Sequence, residues 1–321
     1  MHTYGAEKYL RHAVASLASI RRHDPERPVA LYCSRSQKDR LRETDLASLF
    51  EIVEVLPEAH HSIVGFKHHL DRFKPFGRSL FVDVDMIWCR NPDALWQQLS
   101  PFDLTATGLE RADVFFGGPK GVGFLWHWVL DRRRQTMKHF GLTWLPRIQA
   151  GMIYAQDTQR TADFCRLART FLDRQQETHF VSRLNEGRSE ESCEWSMAMA
   201  ASALDMPIVP WFQGSNSPQL DYVKGYVEHD AQFRNVRVLY HNDPFVRNLR
   251  GIPSDTLRNS LLSLLGRLPG KGDYMWVTPF ALHFGWMHHK QPFHEHADRV
   301  WAETLASGPQ FLESRSQTIR A

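Results

Sequence analysis

The chain has 321 residues, 42% hydrophobic and 12% aromatic, enough apolar material to bury a sizeable core and too much for a disordered segment. Lys and Arg outnumber Asp and Glu by only 39 to 36, giving a net charge of +3, which argues against wholesale nucleic-acid binding and suits a small anionic substrate. Four scattered cysteines, Cys33, Cys89, Cys165 and Cys193, form no Cys-x-x-Cys pair, so neither a zinc knot nor a disulfide framework is expected, and reduced thiols of a cytoplasmic protein are.

Glu7, Lys8 and Arg11 near the start are incompatible with a signal-peptide core, and no apolar run approaches 18 residues, so peripheral membrane contact is the most that is expected. Leu10, Val14 and Leu17 recur at i, i+4 and i+7 and predict an amphipathic helix over residues 8–22. A strand over Pro28–Cys33, a polar helix over 36–48 and a strand over Phe50–Leu56 follow. This alternation signals an α/β fold with right-handed crossovers. No Pro/Ser/Gly-rich linker divides the chain, so one domain over 1–321 is expected. His60-His61 and His68-His69 lack Cys, Asp or Glu at ligand spacing and read as helix-surface residues.

Ser79–Trp88 is an apolar run that reads as one buried strand of a parallel sheet, yet it carries Asp83 and Asp85. Carboxylates at the carboxyl end of such a strand face the crevice where open α/β sheets bind ligands, and they need a positive partner there. Oxygen ligands suit Mn²⁺ or Mg²⁺, which keep coordination sites for substrate phosphates. The alternative is a pair of solvated turn carboxylates.

Asp103–Thr107 and Asp113–Phe116 read as short strands, and Gly117–Gly123, lacking Gly-Lys-Ser/Thr, as a flexible loop. Arg132-Arg133-Arg134 is the densest basic run, a solvated helix face with an anionic-membrane or phosphate contact as the lesser reading. Arg147–Ala155 is a strand, and Phe164, Leu167, Ala168 and Phe171 mark a core-facing helix. The acidic cluster Glu190, Glu191 and Glu194 precedes a helix carrying Met197, Ala201 and Leu204. Met206–Trp211 leads to Gly214-Ser215-Asn216, and further strands are expected over Arg237–Pro244 with His241 and over Ala281–Trp286 with His283 and Gly285, the last continuing to Lys290-Gln291-Pro292-Phe293. His294 and His296 fall on a terminal helix as surface residues.

Phe81 through Asp93 resembles the Asp-x-Asp strand of GT-A glycosyltransferases, particularly the glycogenin-like retaining group. The resemblance implies an α/β, Rossmann-like GT-A fold. Its mixed, mainly parallel sheet would be flanked by helices, with a truncated first strand. The nucleotide-binding half would span about 1–100, the acceptor-binding half about 101–300, and a helical tail would follow. It implies a nucleotide-sugar donor, UDP-sugar favoured, Mn²⁺ or Mg²⁺ as cofactor, and a glycan, lipid-linked or protein acceptor. Thr3 and Tyr9 would flank the base, and Lys67 would face the phosphates. Asp83, Val84 and Asp85 would meet the nucleotide and metal. Gln149, where the group usually has Asn, would present its amide to the donor sugar, and Glu194 would reach the anomeric carbon. His283, preferred over His241 because it brings a glycine and a lysine, would be the third metal ligand. Gly285 would let the backbone approach the diphosphate that Lys290 neutralises. Two other readings are a haloacid-dehalogenase-type phosphatase, poorly matched because Met86-Ile87 follows the second aspartate, and a nucleotide-sugar-binding protein without turnover.

Overall fold

A computed structural model of the protein describes residues 1–112, 116–119, 123–239, 252, 254, 256–258, 260, 261, 264, 276–285 and 289–308. His241, residues 113–115 of one expected strand and residues 120–122 of the expected glycine loop lie outside them, as do residues 286–288.

The chain opens with β1 (His2–Thr3), α1 (Glu7–Arg21), β2 (Ala30–Cys33), α2 (Arg35–Glu43) and β3 (Ile52–Val55). The three strands form a parallel sheet in the order β1-β2-β3. α1 buries Leu10, Val14 and Leu17 as its periodicity predicts. α2 begins with a capping box between Ser34 and Gln37, whose side-chain oxygen also accepts a 2.7 Å bond from the Thr3 hydroxyl. It stops well short of residue 48 because Asp45 takes a left-handed conformation, φ 56°.

After α3 (Ile63–Lys67), the expected strand over 79–88 is two strands, β4 (Ser79–Val82) and β5 (Met86–Trp88), with Asp83 to Asp85 between them. Nor is its partner parallel: β4 runs antiparallel to a later strand, and β5 joins a different sheet. The carboxylates cannot continue through an apolar layer, so the chain crosses from one sheet to the other where they occur. Its backbone stays tied on both sides, Asp83 donating to Gly151 O at 3.0 Å and Asp85 O accepting from Phe284 N at 2.9 Å.

The chain continues through α4 (Asp93–Leu99), β6 (Leu104–Leu109), α5 (Gly123–Val129), α6 (Arg132–His139), β7 (Arg147–Ala155), α7 (Thr158–Asp173), α8 (Glu194–Ala203) and β8 (Ile208–Pro210). Next come β9 (Gln219–Asp221), β10 (Val227–His229), β11 (Val236–Leu239), β12 (Trp276–Val277), β13 (Ala281–His283) and α9 (Gln291–Ser307). β4-β7-β6-β8 is a mixed sheet in which only β6 and β8 are parallel; β5-β13-β9 is a second, and β10-β11-β12 an antiparallel third.

β7 explains the layering. Its alternate residues Met152 and Tyr154 join α1, α9 and β5 through Leu17, Trp301 and Trp88, whereas Ile153 and Ala155 join α7 and α8 through Phe164 and Met197. A strand covered by helices on both faces is apolar over most of its length, and here only Arg147 and Gln149 interrupt the run. Among the described residues no helix is long and apolar enough to cross a membrane.

Two surface assignments are corrected. His68 is 1% exposed and shares a 3.0 Å hydrogen bond between its Nε2 and Ser196 Oγ. Burial lowers its pKa to about 4. His296 is equally buried, its ring 5.2 Å from that of Phe233. Both imidazoles find partners far away in sequence, which local spacing does not reveal.

β6 and β7 approach closely after a register shift between Ala106 and Thr107. A Cβ on Gly108 would lie 2.1 Å from the Arg147 carbonyl oxygen, an overlap with backbone that no rotamer relieves. Gly108→Ala is therefore expected to destabilise the protein by about 2 kcal/mol or more, lowering Tm by about 5 °C. Calorimetry reads this directly, and an unchanged Tm would contradict the close approach.

Candidate metal centre

The strand break aims Asp83 and Asp85 at the second sheet. There β13 pairs antiparallel with β5, His283 opposite Met86, and parallel with β9, His283 opposite Asp221. Register alone thus lines up Asp85, His283 and Asp221 across three neighbouring strands. His283 Nε2 lies 3.5 Å from Asp85 Oδ1 and 3.8 Å from Asp83 Oδ2. One ligand atom from each of the three residues falls within 4.8 Å of the others. Ligands about 2.1 Å from a hard cation stand about 3.0 Å apart at right angles and about 4.2 Å apart when opposed. The two histidine–aspartate separations lie in that interval, so the donor set suits one divalent ion.

The imidazole is fixed from behind. Its Nδ1 is 2.8 Å from Asp221 Oδ1, and Gln149 Nε2 donates to the same oxygen at 2.7 Å. Because a carboxylate only accepts, Nδ1 carries a proton and Nε2 is the nitrogen offered to the cation. Gln149 is held in turn: its Oε1 accepts from Gln219, whose Nε2 also donates to Thr107 Oγ1 at 2.6 Å. In front, a Cβ on Gly285 would come within 2.6 Å of His283 Cε1. The glycine makes room for the ring. Burial works against the imidazolium, but Asp221 and Asp85 outweigh it and raise the His283 pKa to about 10. Cation binding therefore replaces the proton on Nε2.

Each aspartate already has an ammonium partner. Lys67 Nζ sits 2.7 Å from Asp83 Oδ1 and donates to Ala150 O at 2.8 Å. Lys290 Nζ sits 2.6 Å from Asp85 Oδ2. Burial opposes ionisation of Asp85, yet Lys290 and His283 hold it well below the usual carboxylate range. Both lysines are correspondingly raised despite their own burial, Lys67 mainly by Asp83 and Lys290 by Asp85.

The remaining candidates are spread around this centre. Val84 packs against the core between the two aspartates. Glu194 is the first residue of α8, and its charge acts on Lys67. The Thr3 hydroxyl is engaged by Gln37, while Tyr9 is 40% exposed and lies within electrostatic reach of Lys290. Glu190 and Glu191 have structural partners, the first accepting from the Tyr4 hydroxyl at 2.8 Å and the second from the Ser182 hydroxyl at 2.7 Å. Gln149 lies beside this centre, but its amide is spent on Asp221 and Gln219 rather than left open. Asp221 and Gln219 were not anticipated, since a three-residue strand has no readable period. The one available signal is that a ligating histidine needs an acceptor behind it.

Asp221→Ala removes the acceptor shared by His283 and Gln149. It is expected to weaken Mn²⁺ binding about tenfold to a hundredfold, and to cost about 2 kcal/mol of stability through the donors left unpaired. Titration of Mn²⁺ followed by electron paramagnetic resonance checks the first and chemical denaturation the second. Unaltered Mn²⁺ affinity would rule out the role given to Asp221.

The sequence matches no protein-family model, and no curated protein sequence matches it. Solved structures do. The galactosyltransferase LgtC, in complex with donor and acceptor sugar analogs, superposes with a TM-score of 0.50 at 10% identity, covering 98% of this chain and 99% of its own. The glycosyltransferase GlyE of Streptococcus pneumoniae TIGR4, in its apo form, gives 0.48 at 12% identity over 99% of this chain and 63% of its own. Mouse xyloside xylosyltransferase 1 gives 0.44 at 10% identity, over 70% and 87%. The likeness to LgtC runs the length of both chains, and the fold is of the GT-A type.

Proposed function

We propose that the protein transfers a sugar from a nucleotide-sugar donor, a UDP-sugar by preference, to a hydroxyl acceptor with retention, using Mn²⁺ or Mg²⁺ held by Asp83, Asp85 and His283. The observation that carries this reading is the convergence of those three side chains at the junction of two sheets, with a lysine on each aspartate. Charge counting supports an anionic ligand. Asp83, Asp85 and Asp221 contribute three negative charges and Lys67 and Lys290 two positive ones, so a divalent ion turns the cluster net positive. That positive charge favours an anion such as a nucleoside diphosphate.

When bound, the ion supplies Lewis acidity toward the departing diphosphate. The protein's own groups do the rest. Lys67 and Lys290 exchange carboxylate partners for phosphate oxygens, fixing the donor. Gln149 and Asp221 keep His283 oriented, so Gln149 acts here as a positioning residue. Glu194, on the Lys67 side, is the carboxylate placed to favour positive charge at the reacting sugar carbon. Tyr9, at the open end of α1, is available to the base.

Two measurements test this. Thermal shifts with a panel of nucleoside diphosphates should show stabilisation that requires Mn²⁺ and is lost in Asp85→Asn, which still folds. Persistence of that stabilisation in the variant would sink the proposal, and binding without any release of diphosphate from donor and acceptor would mark a carrier rather than an enzyme. Lys290→Ala separates the two halves of the site: with its competing ammonium gone, Mn²⁺ alone should bind more tightly while the diphosphate binds about tenfold more weakly. Calorimetric titration of each ligand reads the opposite signs, and a shift of both affinities in the same direction contradicts the exchange.

A further inference from the structure

α5 and α6 carry an apolar surface that the fold does not use. Trp126, Trp128, Val129 and Leu130 are 66%, 61%, 68% and 44% exposed, whereas side chains of this size usually find a core. They follow one another at the end of α5, where Leu130 and Asp131 close the turn through backbone bonds to Trp126 O and Trp128 O at 3.0 and 3.1 Å. Asp131, left-handed with φ 45°, then caps α6 by accepting from Arg134 N. The inner side of α6 is fastened to the body, with the Thr136 hydroxyl 2.9 Å from His179 N and with Met137 and Phe140 against the second core cluster. Its outer side presents Arg132, Arg134 and Lys138, all exposed. Residues 126–139 hold four Arg and Lys against the single carboxylate of Asp131.

We infer that α5 and α6 form a docking surface for an anionic lipid bilayer, the four apolar side chains entering the boundary between headgroups and acyl chains and Arg132, Arg134 and Lys138 lying over the lipid phosphates. The pairing of indole rings with cations is the composition such a boundary selects. A carbohydrate platform shares the tryptophans but has no use for exposed Val129 and Leu130, which offer no flat face to a sugar ring. Topology adds a consequence. The segment leaves the sheet at Leu109 and returns at Arg147, each two residues from a member of the site network, Thr107 and Gln149. The segment that carries the docked surface is therefore rooted at the end of the sheet that holds the metal centre, and, on the transferase reading above, the acceptor presented there is lipid-linked.

The docking is tested without donor or metal, so that its outcome is independent of the transferase reading. The full chain is sedimented with vesicles of phosphatidylglycerol and phosphatidylcholine, or of phosphatidylcholine alone. Binding to the anionic vesicles should exceed binding to the neutral ones about tenfold and fall with added salt. The pair Trp126→Ser, Trp128→Ser and the triple Arg132→Gln, Arg134→Gln, Lys138→Gln should each reduce it about tenfold with Tm unchanged. Quenching of tryptophan emission by brominated lipid should vanish in the first variant. Equal sedimentation of the variants and the parent, or no sedimentation of either, overturns the proposal. So does tryptophan-dependent binding to a soluble polysaccharide in place of vesicles.

Discussion

The architecture of this protein turns on charge compensation around one imidazole. Asp83, Asp85 and Asp221 surround His283 where little water reaches, and carboxylates so placed are tolerable only with hydrogen-bonded, oppositely charged neighbours. Lys67 and Lys290 supply the charge, and Gln149 and the ring's own Nδ1 supply the hydrogen bonds. Other features follow from accommodating that cluster. The apolar run breaks so that the aspartates can leave the sheet, Gly285 lacks a side chain so that the ring can lie against it, and β9 contributes an aspartate in an otherwise apolar layer.

Compensation by lysine also defines what the pocket can recognise. A site satisfied by two mobile ammonium groups is folded and neutralised before any ligand arrives, but its cations are committed to carboxylates. On the proposed reading, a metal ion would compete for those carboxylates and free the lysines for phosphate. Metal and diphosphate would then be linked by electrostatics rather than by direct contact alone, each favouring the other through the same four charged side chains.

Much of this was legible in the sequence, and the reasons are specific. Arg147–Ala155 was readable because its run from Ala150 to Ala155 is apolar on both faces, as burial on both faces requires. Asp83 and Asp85 stood out because carboxylates inside an apolar run need an explanation, and His283 because Gly285 and Lys290 follow it as in the family it resembles. Their meeting depends on the register of β13 against β5, which no local pattern encodes, and Asp221 depends on a further register with β9 over a strand too short to show a period. The division of residues 79–88 into two strands was hidden because the hydrophobic pattern resumes unchanged after Asp85. His68 and His296 looked like surface residues because the groups that bury them, Ser196 against the first and the Phe233 ring against the second, are distant in the chain.

The crossing at Asp83 to Asp85 has a mechanical consequence as well. Asp83 is tied by its backbone to β7, in one sheet, and Asp85 to the end of β13, in another. An ion shared by these residues acts as a rivet through the seam, resisting any sliding of the two layers. Without an ion the seam would keep the backbone bonds and the lysine contacts alone, and so a chelator would loosen the framework as well as empty the pocket.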